Sequence, residues 1–172
     1  MDAWSPERQQ TMFELHYAPF DHRATGDPDP RWQHGWEVGL GSSHTTRVLP
    51  FLLSLSSDLA LRVLDSKSFA LSIVQMIAVG LALGPLEPHV GGGLSTITAE
   101  VVHAEWSAAL LSPRAQAGLS LHLAGLRVGL DVYDEYLGRW FGGRSYLVRG
   151  FAFGVAFETS RPTPLTSRGR SP

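Results

Sequence analysis

Residues 115–136 read AQAGLSLHLAGLRVGLDVYDEY, and residues 146–157 read YLVRGFAFGVAF. In the first stretch Ala117, Leu119, Leu121 and Leu123 take every second place, with Gln116, Gly118, Ser120 and His122 between them. After Ala124-Gly125 the beat resumes, with Leu126, Val128, Leu130 and Val132 set against Arg127, Gly129, Asp131 and Tyr133. In the second stretch Leu147, Phe151, Phe153, Val155 and Phe157 alternate with Val148, Gly150, Ala152, Gly154 and Ala156. Side chains on an extended strand point to opposite faces in turn, so these are three strands, each with one unbroken apolar face. The other face carries charges, a histidine and many glycines.

The same alternation extends toward the N-terminus. Phe13, Leu15 and Tyr17 alternate with Glu14, His16 and Ala18, and Trp36, Val38 and Leu40 with Glu37, Gly39 and Gly41. Between residues 51 and 83 the odd positions are mostly large and apolar, and the even ones mostly small or polar. A helical reading of this block also exists, since Leu52, Leu55, Leu59 and Val63 share a helical face. The parity held across both halves favours strands. Gly84-Pro85-Leu86-Glu87-Pro88 reads as a turn, and Ala99–Leu111 as a short helix or a decorated loop. Eight strands result, near 12–20, 34–43, 49–63, 69–83, 88–102, 113–123, 126–136 and 145–157, with 21–33 and 137–144 as long loops. Residues 1–11 read as a flexible lead-in, 12–157 as one barrel domain and 158–172 as a disordered tail. An even number of neighbouring antiparallel strands can close on itself and leave no exposed edge.

Composition narrows the possible roles. The formal net charge of −2 argues against a nucleic-acid binder, which carries a basic excess. Cysteine is absent, which removes disulfides, thiolate chemistry and cysteine metal sites together. A charged fraction of 17% with 18 glycines and 44% apolar residues suits a membrane β-barrel or a glycine-rich soluble β-protein. No apolar run approaches the roughly 20 residues of a transmembrane helix. Met1–Arg8 lacks the basic and apolar regions of a secretory signal, so for an exported protein the numbering reads as mature or as that of a fragment.

Three segments carry a likeness to a known family. Leu86-Glu87-Pro88-His89-Val90-Gly91-Gly92-Gly93-Leu94 resembles a strand opening frequent in small outer-membrane β-barrel proteins of Gram-negative bacteria. Ser112–Leu119 followed by Leu126–Leu130 resembles the next hairpin of those proteins, and Tyr146–Phe157 resembles their final strand. The resemblance implies an all-β, eight-stranded antiparallel up-and-down transmembrane β-barrel in a bacterial outer membrane. It implies the lipid bilayer and, during insertion, the barrel-assembly machinery as partners. The implied role is structural, protective or surface-interacting, with no catalysis and no cofactor.

In such a barrel the apolar set faces lipid and the polar set fills the interior. Inward groups then include Glu14, His16, Glu37, Asp58, Arg62, Arg114, His122, Arg127, Asp131 and Glu135. A barrel of this size has room only for its own side chains, so these charges must pair inside it. An alternative uses Ser120 and His122, two residues apart on one face, with Asp131 or Glu135 on the next strand orienting the imidazole for hydrolysis of membrane lipid esters. Barrel enzymes that deacylate lipid A carry the reverse order, His-x-Ser, facing outward. The seven histidines are scattered without ligand spacing, so no metal site is expected, and Gly91-Gly92-Gly93 lacks the pattern of a phosphate loop. Tyr133, Tyr136, Trp140, Phe141 and Tyr146 form a candidate interfacial aromatic girdle. A soluble β-rich or mixed α/β binding domain, with 51–83 helical, is the remaining alternative.

Overall fold

A computed structural model of the chain describes residues 9–25, 31–48, 50–65, 68–102, 105–107, 111–137 and 145–159. Its strands are β1 (Gln9–Thr25), β2 (Gln33–Val48), β3 (Phe51–Asp65), β4 (Ser68–Leu81), β5 (Leu86–Val102), the short β6 (Glu105–Ser107), β7 (Leu111–Leu123), β8 (Leu126–Leu137) and β9 (Ser145–Glu158). The eight long strands pair antiparallel in the ring β4-β3-β2-β1-β9-β8-β7-β5, and a β4–β5 ladder closes it. Each long strand is therefore bonded on both sides, and the sheet has no open edge. β6 pairs only with the end of β5, through Glu100–Val102. The fold is all-β, and the described residues contain no helix.

Following hydrogen-bonded partners around the ring gives the stagger. The path runs Met12, Ser43, Ser56, Met76, Gly93, Arg114, Glu135, Val148 and returns to β1 at His22. The return lies ten residues further along β1 than the start, from Met12 to His22. With a rise of about 3.3 Å per residue and strands about 4.8 Å apart, that stagger tilts the strands by about 40° from the barrel axis. The apolar residues of the alternation lie on the outer wall. Leu15, Leu40, Leu55, Leu59, Ile77, Leu119, Leu130, Phe151 and Phe153 are each about half exposed, whereas Glu37, Arg62, Arg114 and Glu135 are buried inside. Polarity is thus inverted relative to a soluble protein. The outward run Phe51–Leu61 on β3 covers about 25 Å along the axis, the height of the apolar band of a membrane barrel.

Several strand ends differ from the sequence expectation. β1 begins at Gln9 and continues to Thr25, and β2 begins at Gln33, so much of the expected loop 21–33 is ladder. Asp21 pairs with His34 and with Arg149, and His22 with Gln33. Backbone hydrogen bonds do not need apolar side chains, so a ladder runs on where the alternation stops. β3 runs to Asp65, which pairs with Ser68 at the start of β4. Residues 51–83 are strands, not helices, and within 99–111 the described residues are extended. β4 ends at Leu81 rather than Leu83, and β5 starts at Leu86. Pro19 lies within β1, and the β1–β9 ladder skips Ala18 and Pro19 because proline has no N–H to donate.

The tightest connection joins β7 and β8. Ala124 and Gly125 have φ of 42° and 88°, the positive values that a two-residue hairpin matching the strand twist requires. Glycine adopts this conformation freely and alanine does not. Ala124→Gly is therefore expected to stabilise the barrel by about 1 kcal/mol. Equilibrium unfolding in detergent would read this, and a destabilised variant would contradict the assigned turn geometry.

Candidate functional site in the barrel interior

The inward residues form two polar clusters at different heights. Toward the end where β1 and β2 are joined through residues 26–32, Glu37 on β2 accepts from Arg62 Nε on β3 at 2.5 Å and from Arg114 Nη1 on β7 at 3.2 Å. His16 Nε2 on β1 donates to the same carboxylate at 3.1 Å. The other edge of the Arg62 guanidinium is bidentate to Glu135 on β8, at 2.9 and 2.8 Å, and it also reaches Ser95 on β5. Two arginines thus lie between two glutamates, and both glutamate side chains have no solvent exposure. The Arg114 guanidinium stacks on the Tyr133 ring, 3.8 Å from its centroid. Six strands contribute to this one cluster, which links β3 to β8 across the interior.

Nearer the opposite end, Arg127 Nη2 donates to Glu14 at 2.6 Å and to Ser43 at 3.1 Å. His122 Nε2 is bound to Glu87 at 2.6 Å, and His89 Nε2 to Asp131 at 2.6 Å. A cavity of about 50 Å³ remains among Glu14, Ser43, Ser120, Arg127 and Asp131, enough for one or a few waters. Asp58 is buried against Gly41, with one carboxylate oxygen unpaired among the described residues. Gly39 and Gly41 leave the space that the His16 ring and the Asp58 carboxylate fill.

The candidate residues therefore sort as follows. Glu37, Arg62, Arg114 and Glu135 meet in one cluster, Glu14 and Arg127 in another, while His122 and Asp131 take partners absent from the candidate set. Ser120 is buried opposite Glu87 and Gly129. Asp131 holds His89 and Glu87 holds His122, so Ser120, His122 and Asp131 do not form a relay. Two girdle assignments are corrected. Tyr133 is 3% exposed inside the barrel, and Tyr146 packs against the interior group containing Phe20 and Val148. The parity of β8 and β9 places both on the inward face. Tyr136 faces outward and is exposed, as are Trp32 and Trp36. Trp140 and Phe141 lie outside the described residues. Glu87, His89 and Ser95 were missed, although they share the inward parity of β5 with Gly91 and Gly93. Among the described residues no cluster of histidine and carboxylate side chains could hold a metal ion.

No protein-family model matches the chain, and no curated protein matches it. Solved structures do. The crystal structure of Neisserial surface protein A (NspA) superposes with a TM-score of 0.62 at 14% identity, over 85% of this chain and 96% of that one. The chain has the fold of the small outer-membrane β-barrels. Ail, the attachment invasion locus protein of Yersinia pestis, matches at 12% identity and a TM-score of 0.47, covering 88% of this chain and 99% of that one. The outer membrane protein OprG from Pseudomonas aeruginosa matches at 12% identity and 0.47, covering 88% and 97%. The outer-membrane barrel fold places the apolar wall and the ion-paired interior in one physical scheme, and fold alone leaves the task open.

Proposed function

We propose that the protein is a non-conducting, non-catalytic barrel of a bacterial outer membrane, with a structural, protective or surface-interaction role. The observation that carries this reading is the inverted polarity: a mostly apolar outer wall encloses an interior that holds buried ion pairs. Such a wall is stable against lipid chains, and the Glu37–Arg62–Glu135–Arg114 cluster leaves no aqueous path at its level. The connections 26–32, 66–67, 103–110 and 138–144 all leave from one end of the barrel and are the segments a surface partner would meet. The lipid bilayer is the immediate partner, and the barrel-assembly machinery the one needed for insertion.

The test is a far-UV circular dichroism spectrum of the chain in plain buffer and in mild detergent, followed by planar-bilayer recording. A strand spectrum that requires detergent, with no steady conductance, is expected. A folded, monodisperse protein in plain buffer would overturn the membrane reading, and steady ion conduction would overturn the sealed interior. Hydrolysis of a lipid ester that disappears in Ser120→Ala would replace the proposed role with an enzymatic one.

A further inference from the structure

In the middle of the apolar band the outer wall turns polar at one place, whereas the exposed ion pairs Asp21–His34 and Asp134–Arg149 lie nearer the end where β1 and β2 join. On β4 the outward residues run Phe69, Leu71, Ile73, Gln75, Ile77, Val79 and Leu81, with Gln75 at the centre. On β3 they run Phe51, Leu53, Leu55, Ser57, Leu59 and Leu61, and Ser57 is the directly paired neighbour of Gln75. Ser57 is in turn paired with Ser42 on β2. Three polar side chains thus adjoin across three strands at mid-height of the apolar band, and among the described residues none has a hydrogen-bond partner within the chain. A groove of about 540 Å³ runs beside them, lined by His44, Leu55, Gly92 and Leu94 as well. Gly92 leaves it open, since a side chain there would meet no atom closer than 3.8 Å.

We propose that this wall is a self-association surface, on which a second copy of the chain docks through Gln75. The inference rests on the membrane reading above. Hydrocarbon offers an amide no hydrogen bond, and mid-band is the depth where that loss is greatest. Lipid headgroups lie too far away along the axis to satisfy it. A closed barrel has no edge strand to pair, so association must use side chains of the outer wall. Two copies inserted in the same orientation carry Gln75 at the same depth, and a two-fold axis parallel to the barrel axis brings the two together. The carboxamide is both donor and acceptor, so the symmetric pair is complementary to itself, with Ser57 and Ser42 beside it as further donors. The open groove at Gly92 allows the walls to approach closely, as small residues do between membrane segments.

The chain has no cysteine, so single substitutions give unambiguous cross-links. The full chain is reconstituted into phosphatidylcholine–phosphatidylglycerol vesicles, and insertion is checked by its strand spectrum and protease protection. Ile77→Cys, beside Gln75 on the same groove, is expected to form a disulfide dimer under mild oxidation, and Leu130→Cys on the opposite wall is not. Gln75→Leu, which removes the polar group without burdening the wall, is expected to lower the dimer association constant about three- to tenfold. Equal cross-linking at both positions, an inserted chain that stays monomeric, or an unchanged constant in Gln75→Leu overturns the dimer while leaving the membrane reading standing. Failure to enter the vesicles overturns both.

Discussion

Arg62→Ala lowers the unfolding free energy of the barrel by about 3–5 kcal/mol, the loss expected when one partner of a buried ion pair is removed. Arg62 is 3% exposed and supplies Glu135 with both of its short hydrogen bonds and Glu37 with its shortest. Without it, Glu37 keeps Arg114 at 3.2 Å and His16 at 3.1 Å, but Glu135 retains only Arg114, at 3.7 Å. A buried carboxylate is left with too little positive charge and nearly no donors, and that uncompensated charge, rather than lost packing, dominates the cost. Arg62→Lys is expected to fall between the two, because an ammonium cannot make the two-pronged contact to Glu135. Adding Glu135→Gln to Arg62→Ala should recover part of the loss, since the orphaned charge is then gone. The measurement is urea unfolding in vesicles, followed by tryptophan fluorescence, with the single and double variants forming a cycle. A cost below about 1 kcal/mol for Arg62→Ala, or no recovery in the double variant, would show that the cluster does not hold the wall together.

Leu130→Arg carries the second large effect, and its size depends on what surrounds the wall. Leu130 is 45% exposed on the outer face of β8, paired with Leu119 on one side and Phe153 on the other. Against lipid, an arginine near mid-band costs about 2–4 kcal/mol. The same substitution on a surface facing water would fall within about 0.5 kcal/mol of zero. Leu123→Arg, at the turn end of β7, is the matched control and costs about 0–1 kcal/mol in either case. Unfolding of the two variants in vesicles therefore reports depth directly. A depth-independent result, with both near zero, would remove the bilayer from the proposed function.

The fold was legible because a barrel wall writes a period of two into its sequence. One face meets an apolar surrounding and the other a crowded polar interior, so residues 115–157 and 51–83 could alternate only in this way. The inward identity of Glu37, Arg62, Arg114, Arg127 and Glu135 followed from the same parity. Parity also assigned Tyr133 and Tyr146 to the interior. Reading them as girdle residues gave aromatic character more weight than position, and the Tyr133 ring instead lies under Arg114. Strand ends were less legible, because a ladder such as Asp21–His34 continues on backbone hydrogen bonds after the apolar alternation has stopped.

The chain's own sequence determined the number of wall strands, the facing of their side chains and the inverted polarity, since all three depend on local alternation; the short β6, Glu105–Ser107, carries no such alternation. Partner choice inside the barrel was decided only by the tertiary structure. His122 and Asp131 are inward by parity, but the ten-residue stagger of the closed ring sets which strands bring groups to the same height. That stagger gives His122 to Glu87 and Asp131 to His89, and it joins Arg62 to Glu135, 73 positions away in the chain. The registers of the neighbouring β2–β3 and β3–β4 ladders set Ser42, Ser57 and Gln75 side by side in one polar track. Alternation is a property of each strand, whereas register belongs to the whole ring.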